Sequence, residues 1–192
     1  MQKIIIATLI IFMTTSCGLQ SLPKANNEVE ASWAEVQNQY KRRADLIPNL
    51  VEVVKGYASH EKETLESVIA ARAKATSINV NAQDLNPEKL KEFQAAQGQL
   101  SQALGRLMVV SERYPELKAN ENFKDLQVQL EGTENRITIA RNRYIGTIKE
   151  YNNLVTVPPT SWFNSLFYHY DKKPQFEVEN LEKVQDAPEV KF

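Results

Sequence analysis

Apolar residues recur at alternating steps of three and four positions between residues 29 and 68. This seam consists of Val29, Trp33, Val36, Tyr40, Arg43, Ile47, Leu50, Val54, Tyr57, Glu61, Thr64 and Val68. Such spacing predicts one long helix over about residues 27–76, with the pattern of a coiled coil. At a rise of 1.5 Å per residue this helix is about 75 Å long, so the domain must be elongated.

Pro48 lies inside this pattern. It lacks an N–H group and its ring crowds the carbonyl of Ala44, so we predict a kink between Ala44 and Pro48. The alternative is two separate helices. Because the heptad phase continues from Tyr40 through Ile47 to Val54, the pattern favours a single kinked helix.

Two charged residues, Arg43 and Glu61, occupy positions on the apolar seam. Long side chains at such positions extend along the bundle and keep their charged ends in water, which is the outcome we expect. The alternative is that they have buried partners that fix the register of the helices.

Two further helices follow a loop over about residues 76–87, where Asn86-Pro87-Glu88 is a helix-start signal. The second helix ends at Pro115, and its seam consists of Leu90, Phe93, Gln97, Leu100, Leu104, Leu107, Ser111 and Tyr114. The third helix extends to Val157, and its seam consists of Phe123, Leu126, Leu130, Thr133, Ile137, Ala140, Tyr144, Ile148 and Tyr151.

These elements predict an all-α fold, an elongated antiparallel bundle of three long helices plus a short C-terminal helix over residues 160–170. The bundle occupies residues 28–170. A tail over residues 171–192 is polar with isolated aromatic residues, and we expect it to be weakly ordered.

The N-terminus has the order of a secretory signal peptide over residues 1–16: Lys3, an apolar run from Ile4 to Met13, then small residues before Cys17. That run is shorter than the roughly 20 apolar residues that a spanning helix needs. It resembles the lipobox of bacterial lipoproteins, although Thr14 stands where Leu is usual. We therefore expect Cys17 to be acylated, for example with palmitate, and residues 17–27 to form a flexible tether; the alternative is an uncleaved hydrophobic anchor.

The charge balance excludes one class of partner. Without residues 1–16 the chain keeps 22 Lys and Arg against 24 Asp and Glu, a net charge of −2. Nucleic acid calls for a strongly basic face, so we expect no nucleic-acid partner. The single cysteine excludes an internal disulfide.

Three local strings are more specific than the periodicity. They are KRRADLIPNLVE at 41–52, RYPELKANENF at 113–123 and ENRITIARNRY at 134–144. Together with KGYA at 55–58, Tyr151-Asn152 and the ending Pro188, Val190 and Phe192, they resemble the LemA family from about Ser32 to Phe192. The resemblance implies an elongated antiparallel helical bundle attached to a bacterial membrane near its N-terminus. It implies no enzymatic reaction, cofactor or catalytic residue.

Several residues are candidates for binding a partner. Arg42 and Arg43 lie in a basic cluster next to Pro48, although a solvated helix face also explains them. Tyr114 lies at the turn before the third helix, where Asn and Glu residues are expected to cap backbone N–H groups. Trp162, Phe163 and Phe167 add aromatic density, and we hypothesise that they share one binding end of the bundle with Tyr114.

The two histidines, His60 and His169, lie in different helices without other ligands at metal-binding spacing, so no metal site is expected. The resulting hypothesis is a noncatalytic scaffold or adaptor of the bacterial cell envelope, lipid-anchored outside the cytoplasm, with an envelope protein as its partner. Gly18 after the cysteine favours the outer membrane slightly. The alternatives are an envelope hydrolase and a regulator of a membrane protease or signalling kinase.

Overall fold

Six α-helices and one π-helical turn make up the part of the chain that the structure, a computed structural model, describes. This part comprises the backbone of residues 16–176 and the side chains of residues 20–176, and no strand occurs within it. Residues 1–15, which contain nearly all of the predicted signal peptide, and residues 177–192 of the tail lie outside the described residues, as does the side chain of Cys17. The elements are α1 Ser16–Tyr57, α2 Lys62–Ser77, α3 Pro87–Ser111, α4 Pro115–Ala119, α5 Glu121–Thr156, α6 Thr160–Phe163 and the π-helical turn Asn164–Tyr168.

Helix α1 begins earlier than the sequence pattern predicts. The prediction of a flexible segment over residues 17–27 is wrong in the described backbone, because these residues are helical and Pro23 lies inside the helix. Leu22 and Ala25 are buried. They extend the seam of α1 toward its N-terminus at the same helical spacing, which explains why the helix continues there.

The predicted long helix ends at Tyr57, so its extension to residue 76 is wrong. A turn follows in which Ala58 N–H donates to the carbonyl of Val54 and Glu61 N–H to that of Ala58, at 2.8 and 3.0 Å. Helix α2 then folds back along α1. The heptad phase did not reveal this turn, since the four-residue step from Tyr57 to Glu61 equals one helical turn.

Pro48 lies within α1 and does not divide it, which confirms the single helix at this position. The carbonyl of Ala44, four residues earlier, has lost its helical donor. Nε of Arg72 on α2 donates to this carbonyl at 2.8 Å. The backbone group that the proline leaves unpaired is thus satisfied by the neighbouring helix.

Helices α1 and α5 pack antiparallel along most of their length. Near one end Asn120 Nδ2 donates to Tyr57 Oη at 3.0 Å, and further along the hydroxyls of Ser32 and Thr147 are 2.7 Å apart. Helix α2 packs against α1 and α3. Asn86 and Asn120 cap α3 and α5 by accepting from backbone N–H groups, as the sequence predicts.

Two apolar cores lie along the bundle. The first surrounds Trp33, whose ring centroid is 5.3 Å from those of Phe93 and Tyr144, and whose Nε1 donates to the carbonyl of Val80 at 2.7 Å. This hydrogen bond holds the loop between α2 and α3 against α1. The second core consists of residues from all four longer helices together with Leu117 of α4.

The beginning of the C-terminal tail packs on the bundle, so the expectation of weak order is wrong for residues 171–176. Asn152 on α5 donates to the carbonyl of Lys173 at 3.0 Å and accepts from its N–H at 2.9 Å. Phe176 is buried against Trp33 and Tyr144. Burial beneath this segment raises the pKa of Tyr151 to about 12.

Pro48 and Arg72 are expected to be coupled energetically. Arg72→Ala should cost about 1 kcal/mol more in the native chain than in a Pro48→Ala background, because an alanine at position 48 supplies the N–H that the carbonyl of Ala44 lacks. Chemical denaturation of the two single variants and the double variant measures this difference. Equal costs in both backgrounds would show that the Arg72 hydrogen bond does not replace the lost helical one.

Candidate functional sites

Arg43 is the centre of a buried polar layer between the two cores. Only 2% of its surface is exposed. Its Nη1 donates to Ser101 Oγ and Glu134 Oε2, both at 2.9 Å, and its Nη2 donates to Oε1 and the carbonyl oxygen of Gln97 at 2.8 and 3.2 Å. We call these four residues the Arg43 layer. The guanidinium therefore does not reach water, and the preferred expectation for this residue is wrong.

The layer connects all four longer helices. Arg43 lies on α1, its acceptors lie on α3 and α5, and Gln97 Nε2 donates to the carbonyl of Ala75 on α2 at 3.3 Å. Hydrogen bonds from a charged donor are strong and directional. They are satisfied only at one relative position of the helices, so the layer fixes register, which is the alternative that the sequence left open.

The rest of the basic cluster is on the surface. Arg42 is exposed. Lys41 Nζ is 3.1 Å from Asp45 Oδ2, one helical turn away. Because successive helical residues point about 100° apart, the three basic side chains do not converge on one ligand. Arg42 remains a predicted partner-binding residue on an open face of α1.

A shallow groove passes beside the Arg43 layer between α3 and α5. It encloses about 350 Å³, and its lining includes Leu104, Met108 and Leu130 as well as Glu131 and Glu134. Gly105 also lines it, and a Cβ atom at that position would meet nothing within 4 Å. The groove is thus open along α3.

The turns at the C-terminal end of α1 form a second site, which we call the distal tip: Tyr57, Glu61, Arg113, Tyr114 and Asn120. Glu61 Oε1 accepts from Tyr114 Oη at 2.9 Å and lies 3.0 Å from Arg113 Nη2. The hydrogen bond to this carboxylate raises the pKa of the Tyr114 hydroxyl. Glu61, also predicted to remain in water, instead has partners and is largely covered.

The distal tip packs on buried apolar residues of the bundle, and its outer side is exposed to solvent. Leu117 of α4 and Phe123 at the start of α5 are fully or almost fully buried beneath it. Arg113 and Tyr57 remain exposed, at 64% for the side chain of Arg113 and 42% for Tyr57. Tyrosine and arginine side chains dominate the energetic centres of protein interfaces. The tip is thus chemically suited to binding a protein.

The opposite end of the bundle carries an exposed apolar surface, which we call the proximal cap: Val157, Trp162, Leu166 and Phe167. Trp162 is 68% exposed, whereas Phe163 beside it is half-buried. Helix α6 packs against α1. Since α1 and α5 are antiparallel, the cap lies beside the first turns of α1.

The predicted partner-binding residues therefore do not form one site. Tyr114 precedes α5, whereas Trp162 and Phe163 follow it. A helix of 36 residues separates them by about 54 Å. The hypothesis of a shared binding end is wrong, and the structure shows two separate ends. Sequence reasoning missed Tyr57 because it occupies a seam position.

No group of three or more His, Cys, Asp or Glu residues suited to a metal ion is present among the described residues. None of the helices within the described range is long and apolar enough to cross a membrane.

A substitution at the centre of the Arg43 layer should lower the free energy of unfolding more than a substitution at its exposed edge. Arg43→Ala should lower the free energy of unfolding by about 3 kcal/mol, because it removes a buried charged donor and leaves Oε1 of Gln97 without its donor. Glu134→Gln should cost less than about 1 kcal/mol, since the Glu134 side chain is 57% exposed. Arg42→Ala is the matched control, and a cost within about 0.5 kcal/mol is expected for it. Urea denaturation of the three variants would contradict the assignment if Arg43→Ala and Arg42→Ala were alike.

Comparison with known proteins shows which family this chain resembles. A sequence model of the LemA family matches residues 32–192. Protein LemA of Metamycoplasma hominis is 27% identical over 166 residues, which cover 86% of this chain and 67% of that protein.

Two relatives have a different name. Magnetosome protein MamQ of Magnetospirillum gryphiswaldense is 24% identical over 197 residues, covering 90% of this chain and 72% of that protein. Magnetosome protein MamQ 2 of Paramagnetospirillum magneticum is 33% identical over 72 residues, or 38% of this chain and 26% of that protein. Because the family match spans most of the chain, including the Arg43 layer, the distal tip and the proximal cap, this chain belongs to the LemA family.

Proposed function

We propose that this protein is a noncatalytic adaptor of the bacterial cell envelope, anchored to a membrane at its N-terminus and binding an envelope protein at its distal tip. The observation that carries this proposal is the separation of the two ends. Helix α1 has 42 residues, so its rise places the tip about 63 Å from the start of the helix. A tip held at that distance reaches partners away from the membrane.

Membership of the LemA family and the apolar run before Cys17 support the anchor. Acylation of Cys17 gives firm attachment when more than one chain is added, since each buried methylene contributes about 0.8 kcal/mol. The outer membrane is favoured by Gly18. The bundle then lies outside the cytoplasm.

The geometry of the tip supports protein binding. Tyr57 and Tyr114 each form a hydrogen bond that fixes the ring, to Asn120 and Glu61 respectively. Rigid aromatic side chains lose little conformational entropy on association. The exposed guanidinium of Arg113, already oriented by Glu61, adds donors for a carboxylate on the partner.

The anchor is tested by changing Cys17. Cys17→Ser should shift the protein from the membrane fraction to the soluble fraction, because a serine cannot be acylated through sulfur. Mass spectrometry of the native protein should show an acylated Cys17 at the mature N-terminus. An unmodified cysteine, or an N-terminus at Met1, would contradict lipid anchoring and favour the uncleaved hydrophobic anchor.

Partner binding is tested by photocrosslinking in intact cells. A photoreactive amino acid at Tyr57 or Arg113 should give one reproducible protein adduct. The same residue at Val128 or Ile139, which are 67% and 60% exposed on the side of α5, should not give it. The absence of any tip-specific adduct would count against the adaptor function.

The contribution of Arg113 can be measured in the same assay. Arg113→Ala should weaken the adduct formed from Tyr57, because it removes exposed donors without disturbing the buried Leu117 and Phe123 beneath them. Lys118→Ala, an exposed charge on α4 paired with Glu112, is the matched control and should leave the adduct unchanged. If both changes weakened the adduct equally, the effect would come from the overall positive charge of this region and not from a specific contact of Arg113.

A further inference from the structure

The two chain segments at the proximal end of the bundle lack charged residues. Residues 16–23 at the start of α1 and residues 151–170 contain no Asp, Glu, Lys or Arg, although these make up 24% of the chain. The two segments are far apart in sequence. They meet because α1 and α5 are antiparallel and α6 packs against α1. A charge-free zone is therefore built at this end by the fold.

Exposed apolar side chains concentrate in the same zone. Val157, Trp162, Leu166 and Phe167 are between 52% and 68% exposed and fall within 11 consecutive residues. The other large exposed hydrophobic residues of the described range are spread along the bundle: Tyr57, Ile69, Val109, Val128 and Ile139. Isolated residues of this kind are ordinary, whereas a local concentration of them at one end of a bundle is typical of an interaction surface.

The cap is held in place by hydrogen bonds. Asn164 is buried, and its side chain accepts from the N–H of Tyr170 at 2.9 Å and donates to the carbonyl of the same residue at 2.9 Å. The N–H of His169 donates to the carbonyl of Asn164 at 2.8 Å. These contacts close the π-helical turn and keep Leu166 and Phe167 on the outside.

We infer that the proximal cap inserts into the interface of the lipid bilayer beside the N-terminal anchor. The inference rests on the proposed membrane attachment through residues near Cys17. An anchor at the start of α1 brings the cap to the bilayer surface, because α6 lies against that part of α1. Trp, Phe and Leu side chains are those that partition into the interfacial region, and the lack of nearby charge lowers the cost of their insertion.

A bilayer fits the cap better than a second copy of the chain or a protein partner. The charge-free start of α1, residues 16–23, lies beside the cap and contains Cys17, the proposed point of lipid attachment. A surface that is continuous with an anchor meets the membrane before it meets any other molecule. The cap and the anchor then form two points of attachment, which restrict the direction in which the bundle leaves the membrane.

The two tryptophans allow a direct test, because Trp33 is 1% exposed in the core and Trp162 is 68% exposed in the cap. The mature protein acylated on Cys17 is reconstituted into phosphatidylcholine vesicles with or without lipids brominated near the carbonyl. Vesicle flotation reports the anchor, and tryptophan emission reports the cap. Trp162→Phe leaves only the buried Trp33 as a control.

The native protein should float with the vesicles, and brominated lipids should reduce its emission, whereas Trp162→Phe should float equally without that loss. If the native protein floats but brominated lipids do not reduce its emission, insertion of the cap into the bilayer is contradicted, while attachment through the lipid anchor is still supported. Failure to float would overturn both. A shift of Trp162 emission that depends on protein concentration and not on bromination would assign the cap to a second copy.

The introduction of negative charge into the proximal cap gives a second measurement. Leu166→Glu with Phe167→Glu should abolish quenching of Trp162 while flotation through the lipid persists. Val128→Glu, at a similarly exposed position on the side of α5, is the matched control and should leave quenching unchanged. Persistent quenching in the double variant would overturn the inference.

Discussion

One buried guanidinium holds the four longer helices in register. Arg43 of α1 donates to side chains of α3 and α5, and Gln97 extends the connection to a carbonyl of α2. Apolar seams on either side provide contact area, but such contacts adapt to small shifts along the helix axis. The geometry of a charged hydrogen-bonding group does not. The positions of the distal tip and the proximal cap along the bundle depend on this layer.

The sequence predicts the helices well where a local signal determines them. The seam of α1 around Pro48 and the Asn caps before α3 and α5 correspond to the structure. The turn at residues 58–61 escapes periodicity because it preserves the heptad phase. The start of α1 is less predictable, because Pro23 and the nearby asparagines resemble a linker. Leu22 and Ala25 do continue the seam, but only the fold shows that they are buried.

The candidate sites were less predictable because they depend on how distant segments meet. Tyr114 and Trp162 are both aromatic residues near the ends of helices, and only the direction of α5 shows that they belong to opposite ends. The packed part of the tail depends on Asn152, whose amide pairs with the backbone of Lys173. A polar residue on a helix gives no sequence signal that it binds a segment about 20 positions later.

The absence of a flexible linker in the first described turns changes what an anchor does to the bundle. Helix α1 is continuous from Ser16 to Tyr57, so any orientation set at its start is transmitted to the tip. For a rod of about 63 Å, a tilt of about 10° displaces the far end by about 11 Å. With a linker of ten residues in coil conformation, the orientation of the anchor would not determine the position of the far end. If the proximal end is held at a membrane as proposed, contacts there determine where the distal tip is presented, and the Arg43 layer keeps the helices from sliding between the two.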